Sequence, residues 1–451
     1  MATPEGVFGR RRAGVLAHVT SLPGDGLIDA AARRFVDFLA AAGFSIWQTL
    51  PLGPVNDSAS PYQSDSAFAG NAALVADGTH DERDYHEFCE ANAYWLEDFV
   101  LYRALRGRYR GAPWFHWPAE LRDRDAGALA AARGECRPAL EAERRTQYRF
   151  FKAWQDLKYY ANAKGIYVFG DLPLFVAHDS ADVWCHRELF CLDDAGRMTE
   201  TAGAPPDAFA ADGQDWGCPQ YQWQDCTAEG FRWWCERLRV QAARFDLLRI
   251  DHFRGLQASW AIPAGAATAR EGYWKAVPGD AWFSALRAAL GSYAFVAEDL
   301  GYITAEVHAL RRRLGLPGMH VLQFAFEGDP HSPHLPHNHE AHGVVYTGTH
   351  DNNTTLGWWQ ALDDAGRNRA LQYLDYPADA MPWPLVRAAL ASVCGLSVLP
   401  LQDCLGLDAG ARMNTPGTVQ GNWRWRCPPD ALDGALAQKL RGLLELYSRI
   451  P

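Results

Sequence analysis

The chain has 451 residues, of which 48% are hydrophobic and 22% are charged, and its net charge is −11. An acidic balance argues against nucleic acid or an anionic membrane as a partner, because both need a basic face. No apolar run reaches the ~20 residues that span a bilayer, and the ten cysteines include no Cys-x-x-Cys pair. The composition therefore predicts a large globular core, free thiols and a cytoplasmic location.

Eight short apolar or β-branched runs follow one another along the chain, with helical patterns between several of them. The runs are Gly14–Val19, Ser45–Leu50, Ile166–Gly170, Phe245–Asp251, Tyr293–Glu298, Val321–Phe326, Val344–Thr347 and Leu396–Leu401. Between the first two, the Ala-rich pattern Ala31–Ala42 stops at Gly43, a residue that favours a helix C-terminus. Strand–helix alternation repeated eight times predicts an α/β fold, a (β/α)₈ barrel.

The spacing of the runs is uneven, which predicts large insertions. About a hundred residues of helical character separate the second run from the third, and a stretch rich in Asp, Gly, Pro and Trp follows the third. We predict that residues 1–80 form the first part of the barrel, 81–164 a mostly helical inserted subdomain, and 165–451 the rest of the barrel. Insertions after barrel strands lie on the catalytic face, so both are expected to wall the active site.

Two of the runs end in an acid, Asp251 and Glu298, and the run that begins at Val344 leads four residues after Thr347 to a third acid, Asp351. Arg249 lies two residues before Asp251 and so shares its strand face, and its charge favours an ionised Asp251, which suits a nucleophile. Burial of Glu298 after an apolar strand would raise its pKa toward the ~6–7 that suits a general acid. The alternative is that the acids cap strand ends and form ion pairs. From local pattern alone, both interpretations stay open.

Two further compositional features carry weaker signals. Most of the 18 tryptophans are expected to fill the core, although some could line a carbohydrate cleft, where a flat ring faces a sugar. The His-rich segment 331–342 could bind metal, but its prolines indicate a loop and its spacing gives little support for a metal site. No glycine-rich nucleotide motif occurs, so no nucleotide cofactor is predicted.

Many short motifs give the chain a resemblance to a known family. The matching stretches are Gly14–Gly24, Ser60–Tyr62, Ser66–Asn71, Gly170–Val176, Asp179–Trp184, Pro205–Asp207, Gly213–Gly217, Arg249–Gly255, Ala297–Gly301, Gly348–Asn352, Gln402–Asp403, Arg412–Asn414 and Gly421–Trp423. They run in family order from near the N-terminus to near the C-terminus. In them the chain resembles the 4-alpha-glucanotransferases (amylomaltases or disproportionating enzymes), glycoside hydrolase family 77 of the α-amylase superfamily.

The resemblance implies a role for each matching residue. Asp251 would be the nucleophile, Glu298 the general acid and base, and Asp351 the stabiliser of the transition state. The residues expected to contact substrate or orient these carboxylates are Tyr62, Asp171, Phe209, Trp216, Arg249, His252 and His350. Members of the family also cover the cleft with a loop, here about Pro205–Trp216, and Phe209 could be its apolar tip. The chain departs from the family pattern at Cys218, Ser259 and Asn353, which concerns acceptor preference and not the reaction.

The reaction implied is the transfer of an α-1,4-glucan segment from a donor to the 4-hydroxyl of an acceptor, with maltooligosaccharides and α-1,4-glucans as partners and no cofactor or metal. A retaining mechanism predicts that the carboxyl groups of Asp251 and Glu298 lie about 5–5.5 Å apart. The alternatives are a hydrolase of the same superfamily, which uses the same three acids but releases to water, and a non-catalytic glucan-binding protein. Loss of one of the acids would have favoured the binding protein, and all three are present.

Overall fold

Eight parallel strands form the central sheet of the computed structural model, which describes residues 4–24, 27–28, 30–56, 59–76, 78, 81–206, 210–418 and 420–451. The strands of the described chain are β1 Arg12–Leu16, β2 Ile46–Gln48, β3 Tyr167–Leu172, β4 Glu200–Ala204, β5 Gln214–Pro219, β6 Leu247–Ile250, β7 Ala258–Pro263, β8 Tyr273–Ala276, β9 Ala294–Ala297, β10 Gly318–Val321, β11 Gly343–Tyr346 and β12 Leu396–Pro400. The central sheet has the order β10-β11-β12-β1-β2-β3-β6-β9.

The two ends of this sheet meet, so that it forms a nearly closed barrel. At the end of β9, the Ala297 N–H donates to the Pro317 carbonyl at 2.9 Å, and the Met319 N–H of β10 donates to Asp299 Oδ1 at 2.8 Å. The barrel interior is apolar, with Leu16, Phe169 and Val296 among its buried residues. The predicted (β/α)₈ barrel is confirmed, and the carboxyl ends of its strands define one mouth.

The α-helices form an outer layer around the barrel and fill the insertions. They are α1 Pro4–Phe8, α2 Ala30–Ala42, α3 Glu82–Arg108, α4 Ala119–Arg122, α5 Ala126–Glu135, α6 Arg137–Ala163, α7 Ala181–Cys185, α8 Trp223–Ala228, α9 Arg232–Arg244, α10 Gly279–Leu290, α11 Ala305–Leu314, α12 Thr355–Ala361, α13 Asp364–Tyr373, α14 Trp383–Ala391, α15 Leu401–Cys404 and α16 Gly434–Leu446. The helix predicted over Ala31–Ala42 is present, and Gly43 follows it with a φ of +84°.

Short 3-10 helices occur in several connections. They are Val19–Ser21, Ala72–Leu74, Trp114–His116, Arg187–Leu189, Phe253–Leu256, Ala269–Glu271, Leu322–Phe324, Pro336–Asn338 and Ala409–Ala411. In the first insertion, α3 packs along α6, and α6 also contacts β3 and α2. Trp154 of α6 is buried and donates its indole N–H to the Arg244 carbonyl at 2.9 Å. The division of the chain at residues 81 and 164 stays a prediction.

The sixth barrel strand lies earlier than the sequence suggested. The predicted run began at Val321, whereas β10 is Gly318–Val321 and Leu322–Phe324 forms a 3-10 helix. An apolar run is buried in either conformation, so hydrophobicity alone could not place the boundary. Gly318 also concealed the strand, and a Cβ there would lie 2.5 Å from an Asp299 oxygen.

A second, antiparallel sheet of order β5-β4-β7-β8 was not predicted. The sequence suggested only loop insertions from Asp171 to Asp225, because Gly, Asp and Pro are depleted in strands. β4 pairs with β5 on one side and, on the other, with β7, which follows β6 in the chain. This sheet brings Trp216 of β5 to the barrel mouth. Among the described residues, no helix is both long and apolar enough to cross a membrane.

Candidate active site

One buried arginine connects carboxylates from three neighbouring strands. Arg249 of β6 is paired in register with Asp171 of β3, and its Nη1 lies 2.8 Å from both Asp171 carboxylate oxygens. The same nitrogen lies 2.8 Å from Asp251 Oδ1, and Nη2 lies 4.0 Å from Glu298 Oε2. Because one guanidinium reaches Asp171, Asp251 and Glu298, the last two carboxylates face the same barrel mouth. Their separation of about 5–5.5 Å stays a prediction.

Glu298 follows β9 directly, and its carboxyl group is held in a turn. Oε2 accepts the His252 N–H at 2.7 Å, and Oε1 accepts the Leu300 N–H at 3.2 Å. His252 has a φ of +50°, a left-handed conformation in which the chain turns after β6 and the His252 N–H points to Glu298. Burial raises the pKa of Glu298 to about 8; Arg249 opposes this shift and the charge of Asp251 adds to it. Glu298 is therefore protonated at neutral pH, as a general acid must be.

Asp351 follows β11 closely and is more open, with 44% of its side chain exposed. Its Oδ1 accepts from Asn414 Nδ2 at 2.6 Å, and its backbone carbonyl accepts from Arg412 Nη2 at 2.7 Å. Sequence reasoning gave Arg412 and Asn414 no role, although both lie in a recognised motif. Their contacts with Asp351 are between residues more than sixty positions apart, which local pattern cannot reveal.

Tyr62 and His350 connect Asp171 to Asp351 across the mouth. The Tyr62 hydroxyl donates to Asp171 Oδ2 at 2.8 Å and lies 2.8 Å from His350 Nε2. The hydroxyl has one proton, which it donates to Asp171, so in its contact with His350 it accepts the Nε2–H. The two rings stack at 5.4 Å, and His350 Nε2 lies 3.4 Å from Asp351 Oδ2. The Trp423 ring, for which the sequence predicted no role, lies 5.9 Å from the Tyr62 ring.

Aromatic rings flank the other side of the carboxylates. Trp216 meets His252 edge-on with ring centroids 4.8 Å apart, and it lies 6.0 Å from Phe175. Burial lowers the pKa of His252 to about 4, so this imidazole is neutral at neutral pH. The structure thus brings Tyr62, Asp171, Arg249, His252, His350 and Trp216 together with the three acids. Phe209 lies outside the described residues.

The three departures from the family pattern contact neighbouring polar groups. The Cys218 thiol is buried and lies 3.6 Å from Gln63 Nε2. Ser259 Oγ donates to Gln220 Oε1 at 3.0 Å, and the Asn353 carbonyl accepts from Gln323 Nε2 at 2.9 Å. Cys218 lies two residues beyond Trp216, so of the three it is the one nearest in sequence to a predicted substrate contact.

Two clefts open on either side of the Tyr62–His350 pair. One is lined by His18, His350, Asn352 and Arg412 among others. The other is lined by Tyr62, Asp171 and Phe175 among others. Their walls mix apolar side chains with a few polar and charged groups, which is typical of small-molecule sites.

Histidines of the His-rich segment pack against one another and against neighbouring parts of the chain. In the described part of the chain, no group of three or more His, Cys, Asp or Glu residues is arranged to hold a metal ion. His320 and His339 stack at 4.5 Å. His339 lies 2.7 Å from Ser392 Oγ and 2.9 Å from the His334 carbonyl. Burial lowers the pKa of His320, His334 and His339 to about 4.

This cluster predicts a loss of stability in mild acid. The unfolded chain binds these protons near the ordinary pKa of 6.5 and the folded protein only near 4. Stability is therefore complete above about pH 6.5 and falls as the pH drops toward 4. We expect His339→Gln to reduce the change in melting temperature between pH 7 and pH 5 by several degrees. The control is His337→Gln, which removes an exposed histidine of the same loop. Equal pH dependence in both variants would contradict the prediction.

A parallel barrel whose mouth pairs a protonated Glu298 with an Arg-bound Asp251 defines a class of protein, the carboxylate enzymes that cleave glycosidic bonds. A family profile described as 4-alpha-glucanotransferase matches residues 17–78 and 76–432. The chain belongs to this 4-alpha-glucanotransferase family, which confirms the predicted transferase class.

Individual relatives agree along nearly the whole chain. A 4-alpha-glucanotransferase of Thermus thermophilus is 42% identical, with 98% of this chain and 99% of the relative aligned. One from Synechocystis is 40% identical over 98% of both chains. The solved amylomaltase from Streptococcus agalactiae in complex with acarbose superposes with a TM-score of 0.94 at 33% identity, covering 98% of this chain and all of that one.

Proposed function

We propose that Asp251, Glu298 and Asp351 carry out retaining transfer of α-1,4-glucan segments. The observation that carries this proposal is the Arg249 guanidinium, which reaches Asp171, Asp251 and Glu298 at one mouth. It forms an ion pair with Asp251, next to a Glu298 that burial keeps protonated. A nucleophile and an acid in those two states are what the first step of glycosyl transfer requires.

In the first step, an Asp251 carboxylate oxygen attacks the anomeric carbon of the donor sugar. The bond from this carbon to the glycosidic oxygen breaks, and Glu298 gives its proton to the departing oxygen. A covalent glucosyl-enzyme remains, with Glu298 ionised. In the second step, Glu298 takes the proton of the acceptor 4-hydroxyl, whose oxygen attacks the anomeric carbon and releases Asp251. Two inversions give net retention.

The remaining residues hold this arrangement in place. Asp351, oriented by Asn414 and close to His350, would stabilise the positive charge that develops on the sugar ring. Tyr62, whose hydroxyl is anchored by Asp171 and His350, would present its flat ring to the sugar at the cleavage point. No step requires a redox cofactor or a metal ion. We also propose a cytoplasmic location and maltooligosaccharides as the substrate class, by analogy with the family.

Incubation with maltotriose tests the function directly. Transfer yields chains both longer and shorter than the substrate, whereas hydrolysis yields only shorter ones, so the product ladder separates the two candidate reactions. We expect maltotetraose and longer products to appear from the earliest time points. A ladder of glucose and maltose alone would favour the hydrolase, and unchanged maltotriose would favour a protein that only binds glucans.

We expect Phe209→Ala to shift products toward free glucose without abolishing bond cleavage. For transfer, the covalent intermediate must react with a sugar hydroxyl before it reacts with water. An apolar loop tip over the acceptor would exclude water from the region of the anomeric carbon. The measurement is the ratio of hydrolysis to transfer at several acceptor concentrations. A ratio equal to that of the unmodified enzyme throughout would mean that the ring packs on its own loop.

A further inference from the structure

Tyr302 presents an exposed aromatic ring next to the active site. Its side chain is 63% exposed, whereas most large apolar side chains of the described residues are buried. It lies four positions after Glu298 in the same segment, so the Cα atoms of the two residues lie within about 14 Å of each other. An exposed ring this close to the catalytic acid is placed to meet a ligand that extends out of the barrel mouth.

The ring is held in place by a buried cation. The Arg254 guanidinium lies 3.5 Å from the Trp274 ring centroid and 5.3 Å from that of Tyr302. The Trp274 and Tyr302 rings are nearly parallel, at 17° with centroids 6.3 Å apart. Arg254 is 5% exposed, and within the described residues its Nε and Nη1 have no hydrogen-bond partner. The guanidinium is therefore compensated mainly by the two rings.

The second sheet fixes this cluster relative to the barrel. Trp274 belongs to β8 and meets Trp260 of β7 edge-on at 5.0 Å. The Trp260 indole donates to the Ala269 carbonyl at 2.8 Å. An aromatic ring that is anchored before the ligand arrives loses little conformational freedom on binding, and such rings are effective contacts for that reason.

We propose that Trp274, Arg254 and Tyr302 form an aromatic platform that binds an α-glucan chain beyond the first acceptor sugar. This inference rests on the proposed function. Glu298 exchanges protons with the leaving oxygen and the acceptor hydroxyl. The protein segment that continues from Glu298 to Tyr302 therefore lies on the leaving-group and acceptor side of the cleavage point. The exposed Tyr302 ring offers a flat apolar surface to the C–H face of a sugar. A single glucose at the reaction centre does not extend to the platform, whereas a longer acceptor does.

The test is Tyr302→Ala, assayed with unlabelled maltopentaose as donor and radiolabelled glucose or maltotetraose as acceptor. We expect the KM for maltotetraose to rise about fivefold, the effect of losing one aromatic contact, and the KM for glucose to stay unchanged. Tyr302→Phe should retain the affinity for maltotetraose, because the ring remains. The matched control is Tyr159→Ala, which removes a 62% exposed tyrosine on α6.

The outcomes distinguish this inference from the function on which it rests. If the unmodified enzyme transfers but Tyr302→Ala leaves both acceptor KM values unchanged, the platform does not bind acceptor and the proposed function stands. If both acceptor KM values rise equally, or only the donor KM rises, the platform is not an acceptor site. Absence of labelled longer products with the unmodified enzyme would overturn the proposed function itself.

Discussion

Asp251→Asn is expected to lose about four orders of magnitude in transfer rate while remaining folded. A neutral amide cannot form the covalent bond to the anomeric carbon, yet it occupies almost the same volume as the carboxylate. Arg249 keeps its ion pair with Asp171, at 2.8 Å, so the buried guanidinium is not left unpaired. The measurements are the initial rate of maltotriose disproportionation and the melting temperature.

The control for Asp251→Asn is Asp364→Asn, which makes the same chemical change at a side chain that is 97% exposed. It should leave both rate and melting temperature unchanged. Near-normal transfer by the Asp251 variant, in a preparation shown to be free of the unmodified enzyme, would make Asp251 a structural residue. A large drop in melting temperature would attribute the loss of rate to unfolding.

Glu298→Gln is expected to reduce transfer from maltotriose by a factor of about 10²–10⁴. The amide can neither protonate the leaving oxygen nor deprotonate the acceptor. With α-maltosyl fluoride, whose leaving group needs no proton, the first step should proceed and the second should remain slow. The variant is then expected to accumulate a covalent maltosyl-enzyme on Asp251, visible as an added sugar mass in the intact protein and in the peptide that contains Asp251.

The pH profile gives an independent check on Glu298. Its pKa is raised to about 8 by burial, so kcat/KM of the unmodified enzyme should fall as the pH rises above that value and the acid is lost. Formation of the covalent adduct by Glu298→Gln from the fluoride should lack this alkaline limb. Glu445→Gln on α16, half exposed and distant in the chain, is the matched control. Adduct formation as slow as transfer from maltotriose would remove Glu298 from the acid role.

How far the sequence could go is clearest in the barrel strands. Seven of the eight predicted runs overlap the strands at comparable positions, because an apolar β-branched stretch bounded by turn residues has few other stable conformations. The sixth was displaced, since Gly318 hides the strand and the residues directly after Val321 form a 3-10 helix in which Leu322 is buried. The resemblance of the motifs to a family supplied the predicted roles of individual site residues, where local pattern left strand-end capping open.

The sequence by itself determined the barrel class, the acids that follow three of the strands and the shared strand face of Arg249 and Asp251, because each depends on residues close together in the chain. Tertiary structure decided the rest. The Asp299–Met319 contact at the seam, the Asn414 bond to Asp351 and the second sheet join segments that are distant in sequence. The cluster of Arg254, Trp274 and Tyr302 likewise combines three separate segments. Each of these depends on which distant parts of the chain come into contact in the folded protein, and the local periodicity of the sequence does not determine those contacts.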